Sequence, residues 1–184
     1  KPFIGNFDGQ GYIIKNLYIN RNQEENIGLF SAVSEDRNKC LQEYIQNVKL
    51  VNVSITGKKY VGGVIGSCDR KIINNFSVVG NIFGSNVGGL TGINSHCKIS
   101  ESYVIANITI EGYGGAGGVS YSNDYGEILK FYFKGNIFGG EQSSDIGGMA
   151  GININGTVSD SYVIGGIAGG SNIGGIVGTN YILF

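Results

Sequence analysis

Short apolar pieces recur along this chain at a nearly constant distance. VGGVIG starts at Val61, VGGLTG at Val87, AGGVSY at Ala116, IGGMAG at Ile146 and IGGIVG at Ile173, in steps of 26, 29, 30 and 27 residues. A degenerate copy, IGLFS, starts at Ile27. A second element lies between these copies: an aliphatic residue, then a small or variable residue three places on, then an aromatic. It reads Ile72…Asn75-Phe76, Ile99…Ser102-Tyr103, Ile128…Phe131-Tyr132 and Val158…Ser161-Tyr162, with Ile45-Gln46-Asn47-Val48 as an aliphatic relative. A short apolar stretch ending in glycine follows each one: SITG, NIFG, TIEG, NIFG and GIAG. Self-similarity at such a period is the signature of a stacked-repeat architecture.

Each unit therefore holds three strand-like pieces separated by turns. Helical repeats need longer segments with 3.6-residue periodicity and tolerate little glycine. Propeller blades need longer units with four strands each. Three short pieces fit one coil of a parallel β-helix, whose neighbouring coils pair at ~4.8 Å. The pattern predicts an all-β chain, a single β-solenoid domain over residues 1–184 with about six coils of 26–30 residues. Residues 1–30 form an opening element, 31–44 a charged loop excursion, and 45–184 the repeats.

The substitutions within the repeat predict its orientation. The fourth position of the glycine motif is always apolar (Val64, Leu90, Val119, Met149, Ile176), so it should face the core. The fifth is tolerant (Ile65, Thr91, Ser120, Ala150, Val177), so alternation should turn it outward. The first position is apolar too, which a bend at the Gly-Gly pair would explain. Phe76, Tyr103, Tyr132 and Tyr162 should stack from coil to coil, with Asn75, Ser102 and Ser161 as a polar ladder beside them. The stretches 31–44, 120–127 and 139–145 break the pattern and should be loops at coil corners. Gly112 should close a strand piece as Gly57 and Gly84 do.

Composition narrows the picture. Of 184 residues, 33 are Gly and 1 is Pro, with no G-X-Y period, which excludes collagen. Apolar residues make up 41%, too many for a disordered linker. A net charge of -1 leaves no basic field for nucleic acid or an anionic membrane. No apolar run is long enough to span a bilayer as a helix. The first residues, KPFIGNFDG, read as the inside of a motif, and the apolar NYILF as an unusual exposed end. Both suit a segment of a longer protein.

The repeated G-G-[LIVM]-x-G resembles the GLUG motif of bacterial surface and secreted proteins. PFIGNFDGQGYIIKNLYI followed by NIGLFS is similar to the FDGxGxxIxNLxI…GLF element that often precedes GLUG repeats. The resemblance implies a right-handed parallel β-helix in a large extracellular protein, some members being adhesin-like and some flanking the zinc protease of immunoglobulin A1 peptidases. The protease motif H-E-x-x-H is absent, so that activity does not carry over. Tyr121 stands where the motif has glycine.

Several residues invite chemistry. Gly112, Gly114 and Gly117 spell G-x-G-x-x-G, but the following GVSYSNDYGE shows no helical period, and a pyrophosphate loop needs a helix behind it. The repeat already accounts for Gly117. Cys40, Cys68 and Cys97 are spaced close to one coil, so stacked coils could bring Cys68 and Cys97 within disulfide reach; free buried thiols are the alternative. His96 beside them could complete a metal site, although no short chelating pair exists. Asp69, His96 and Asp124 fall on comparable corners, either as an acid/base cluster or as a solvated edge. No G-G-x-G-x-D calcium repeat occurs. Asn52, Asn75, Asn107 and Asn155 open N-x-[ST] sequons. None of these residues is assigned as catalytic, cofactor-binding or metal-binding, and no cofactor is expected. The leading expectation is a non-enzymatic structural or adhesive module, extracellular or at the cell surface, with no nucleic-acid partner and no membrane insertion of this segment. Its partners would be the rest of a larger polypeptide or assembly, and host protein or glycan. The alternatives are a polysaccharide-active β-helix enzyme and a scaffold unit stacking end to end.

Overall fold

The structure is a computed structural model that describes residues 1–36 and 43–183. Its regular structure is β throughout, and every strand pairing is parallel. Strands stack coil on coil as a β-solenoid of about five turns. One wall is a six-stranded sheet: Phe30–Ser34, Ile65–Asp69, Thr91–Ser95, Ser120–Asp124, Ala150–Ile154 and Val177–Tyr181. The second sheet is twelve-stranded and is built on the long, bent strands Tyr44–Gly62, Ile72–Gly88, Lys98–Gly117 and Glu127–Phe138. The opening element forms its first coil: Phe7–Asp8, Ile13–Lys15 and Tyr18–Ile27 all pair with Tyr44–Gly62.

The glycine motif is the corner between the two sheets. Its first positions pair in one ladder, Ile27, Val61, Val87, Ala116, Ile146 and Ile173. A Cβ on Gly88 would collide with the Thr91 carbonyl oxygen, so this corner excludes any side chain. At two other bends the chain adopts left-handed backbone without glycine. One is occupied by Asn47, Asn75, Glu101, Lys130 and Asp160, the other by Arg70, His96, Tyr125 and Asn155. Asn and Asp tolerate this region best, because their short side chains bond locally.

The interior is a stack of aliphatic ladders. Ile45, Ile73, Ile99 and Ile128 are fully buried and in register. The first and fourth motif positions are fully buried in the copies from Val61 to Met149; only the last copy, Ile173 and Ile176, is exposed, at the end of the stack. The fifth position is a correction. Ile65, Ser120 and Ala150 are 0% exposed and Thr91 1%. Alternation does not carry across a corner, so the residues on both sides of the bend turn inward. Tolerance there reflects internal hydrogen bonding: the Thr91 and Ser120 hydroxyls donate to the carbonyls of Ile93 and Ser122 at 2.7 and 2.6 Å.

Phe76 is a second correction. Ile73, not Ile72, pairs with Ile99, so Phe76 sits one place out of line with Tyr103 and is 1% exposed. It belongs to an inner ladder with Val48, Ser102 and Phe131, with Ser161 at the matching place of the next coil. In that ladder Ser102 Oγ accepts from the Phe76 amide at 2.9 Å, and Ser161 Oγ accepts from the Phe131 amide at 3.1 Å. Asn75 instead donates to Asn47 on the outside, so the three polar residues do not form one ladder.

Three expected loops also change. Residues 120–127 are a regular strand, two corner residues (Tyr125 and Gly126) and the start of the next strand. Phe30–Ser34 is a strand, so the excursion begins after it; the greater part of what remains, with Cys40, lies outside the described residues. Residues 139–143 keep their loop character, and a strand begins at Ser144.

Burial at the fifth position makes a simple test. Ile65→Ala should lower unfolding free energy by about 2–5 kcal/mol, as for other fully buried large-to-small changes. Urea denaturation measures it; a loss within about 0.5 kcal/mol is what an outward side chain would give.

Candidate functional site

Inside the six-stranded wall runs a column of asparagines. Asn94 Nδ2 donates to Asn123 Oδ1 at 2.7 Å, Asn123 Nδ2 to Asn153 Oδ1 at 2.7 Å, and Asn153 Nδ2 to Asn180 Oδ1 at 2.8 Å. Each Nδ2 also donates to a carbonyl three residues on: Cys97 at 3.3 Å, Gly126 at 3.1 Å and Gly156 at 2.9 Å. The amides therefore tie coil to coil and strand to corner together in a low-dielectric interior. The sequence carried a signal for this: seven residues after each motif start stands Asn94, Asn123, Asn153 or Asn180.

In the Val61 copy that place holds Cys68, opposite Asn94. Cys68 is disulfide-bonded to Cys97, with Cα atoms 6.4 Å apart and both side chains buried. The bond closes a loop of separation 29. It also ends the asparagine column: Asn94 Oδ1 is buried and has no hydrogen-bond partner among the described residues. With both thiols oxidised, the Cys68–Cys97–His96 metal reading falls away. Among the described residues no group of three or more His, Cys, Asp or Glu is placed to hold a metal ion.

The remaining sequence candidates separate. Asp69 and Asp124 pair with Ser95 from opposite sides, so a whole coil stands between them. Asp69 is engaged by Arg70 at 3.2 Å and by the Ser34 hydroxyl at 3.3 Å. His96 stacks on Tyr125, with centroids 5.2 Å apart and planes 6° from parallel. The Tyr125 hydroxyl accepts from Asn155 at 2.8 Å. This is a corner stack and not an acid/base cluster.

The G-x-G-x-x-G glycines lie in the strand Lys98–Gly117, with no helix behind them. Ile110, not Gly112, pairs with Gly84, and the register resumes at Asn86 and Gly115. Gly112 sits in the intervening bulge with φ 64°. Gly115 has a different purpose: a Cβ there would collide with the Ser144 carbonyl oxygen and come within 2.7 Å of the Asp145 one, with the Tyr121 ring next at 2.8 Å. Tyr121 occupies the place held by Gly92 and Gly151 in the adjacent coils. Burial pushes the Tyr121 phenol pKa up.

A buried ion pair went unseen in the sequence. Lys71 is 0% and Glu43 3% exposed, and Lys71 Nζ donates to Glu43 Oε2 and, at 2.8 Å, to the Gly5 carbonyl. The Gly5 and Asp36 amides donate to Glu43 Oε2 at 3.0 and 3.2 Å. The pair clamps the opening coil to residues flanking the excursion. The Lys71 hydrogen bond, reinforced by the two amides against the opposing effect of burial, holds the Glu43 pKa down at about 2.

The outer face of the twelve-stranded sheet carries aligned side chains. Tyr103, Tyr132 and Tyr162 stack at 4.8 and 5.4 Å, with their rings nearly parallel. Asn136 Nδ2 donates to Asn107 Oδ1 at 3.4 Å and Asn107 Nδ2 to Asn81 Oδ1 at 3.5 Å. Of the sequon asparagines, Asn52, Asn75 and Asn107 are exposed and Asn155 is half-buried.

The chain is similar to halomucin of Haloquadratum walsbyi (strain DSM 16790 / HBSQ001), 30% identical over 193 residues. The match takes in 96% of this chain and spans about 2% of the length of that relative. No family model matches the chain, and no solved structure matches it. No helix among the described residues is long and apolar enough to cross a membrane.

The clamp gives a pH prediction. Because the folded pKa of Glu43 lies below its ordinary 4.5, its stabilisation is complete above that value. It is lost as pH falls towards about 2. Glu43→Gln should cost about 3–5 kcal/mol at pH 7 by stranding Lys71 in the interior. The gap between wild type and variant should narrow between pH 4.5 and 2, as read from denaturation midpoints. A gap that stays constant across that window would contradict the ion pair.

Proposed function

We propose that this chain is a non-enzymatic structural module of an extracellular or cell-surface protein, a stiff solenoid segment that holds its lateral faces out as a spacer or adhesive surface. The observation that carries the reading is the use made of the repeated residues. The glycine pair turns the corner, the first and fourth positions fill the core, and Asn94, Asn123 and Asn153 join the coils, so the repeat is devoted to building a regular stack. The Cys68–Cys97 disulfide supports an oxidising compartment, since such bonds persist in secreted and surface proteins and are rare in the cytosol. Similarity to halomucin is compatible with a surface placement. The GLUG-like repeat, and the right-handed coil that it implies, belong to the same reading.

Antibodies raised against residues 43–183 should label intact cells of the source organism, and brief surface proteolysis should remove the label. Labelling only after permeabilisation would contradict the proposal.

A further inference from the structure

The outer face of the twelve-stranded sheet carries lysines on ladders that hold no carboxylate, with exposed Glu101 and the Lys98–Glu127 pair at its border. Four outward ladders run along it in register. The first passes from Lys49 through Ser77 to Tyr103, Tyr132 and Tyr162. The second begins at Lys15 and passes through Val51, Val79 and Ile105 to Lys134 and Ile164. The third joins Tyr18 and Ser54 to the Asn81–Asn107–Asn136 amides, and the fourth links Asn20 and Thr56 to Phe83, Thr109 and Phe138. Three lysines stand on these ladders and no carboxylate does, although the chain has 14 Asp and Glu against 13 Lys and Arg. Between the second and third ladders lies a shallow groove of about 340 Å³, with Ile105 and Lys134 on one side, Asn81 and Asn107 on the other, and Gly80 and Ala106 in its floor.

The chemistry of the groove narrows its occupant. The main chain flanking it is paired coil to coil, so a peptide laid along the axis finds no strand edge to extend. The tyrosine rings face one another at 4.8 and 5.4 Å, which leaves hydroxyls and ring edges outward in place of open faces for stacking bases. What remains is a periodic row of phenol hydroxyls and carboxamides, able to donate and accept, beside ammonium groups on ladders that hold no carboxylate. We propose that this face binds a linear polysaccharide bearing carboxylate groups, its chain parallel to the solenoid axis, its hydroxyls on Asn81 and Asn107 in the groove and on the tyrosines of the neighbouring ladder, and its carboxylates on Lys134 in the groove and Lys49 beside it. The inference stands on the composition of this face and does not depend on where the protein resides.

Affinity electrophoresis in native gels tests it with three polymers: sodium alginate (a linear uronate glycan), hydroxyethyl cellulose (linear and neutral) and poly-glutamate (anionic without sugar hydroxyls). Alginate should retard the chain more than either of the others. Lys49→Ala/Lys134→Ala should weaken retardation at least tenfold and Asn107→Ala at least threefold. These residues are exposed, and unchanged circular dichroism melts would show that the fold survives. Absence of retardation by alginate, equal retardation by poly-glutamate, stronger retardation by the neutral glycan, or variants that bind as wild type would each overturn the proposal.

Discussion

No coil of this chain can satisfy its own backbone. Its strands are parallel to those of the next coil and run in different walls from one another, so the amides and carbonyls of each coil find their partners about one repeat away in sequence. The rest of the structure depends on that dependence between coils. Register must be kept at every position, because one step of slippage would carry an aliphatic ladder to the surface. The buried asparagine column adds side-chain bonds along the same axis, and the disulfide covalently fixes two neighbouring coils where the column ends.

The repeat length varies by several residues, and the structure absorbs the variation at chosen places. Bulges stand next to the corner, between Thr56 and Val61 and between Gly84 and Asn86, and a further irregularity lies between Val51 and Val53. Left-handed residues at the bends accept Asn, Asp, Glu, Lys, Arg, His and Tyr, because only their backbone is constrained. The outer face is consequently free to vary in chemistry while the core repeats. That freedom allows lysines, tyrosines and amides to gather on one face of a chain that is nearly neutral overall.

Much of the fold was legible because glycine at a corner and aliphatic residues in the core leave a strong periodic trace. The motif starts at Val61, Val87, Ala116, Ile146 and Ile173 lie in one ladder. Errors arose where periodicity is locally ambiguous. The doublet Ile72-Ile73 offers two anchors, and burial selects the second. The fifth motif position read as outward because it tolerates Ile65, Thr91, Ser120, Ala150 and Val177, yet the Thr91 and Ser120 hydroxyls are satisfied by their own strands. The asparagine column was visible as a constant offset but was masked by the abundance of asparagine elsewhere. The Lys71–Glu43 clamp left no trace, since two residues 28 apart on opposite sides of an irregular segment share no pattern.

The column of asparagines reports most directly on whether adjacent coils are held in this register. In solution NMR, the Asn94, Asn123 and Asn153 side-chain amide protons should exchange with water at least a hundredfold more slowly than those of exposed Asn107, with cross-peaks from Asn94 to Asn123 and from Asn123 to Asn153. Exchange as fast as that of Asn107, or contacts to residues other than these partners, would contradict the stacked, in-register solenoid.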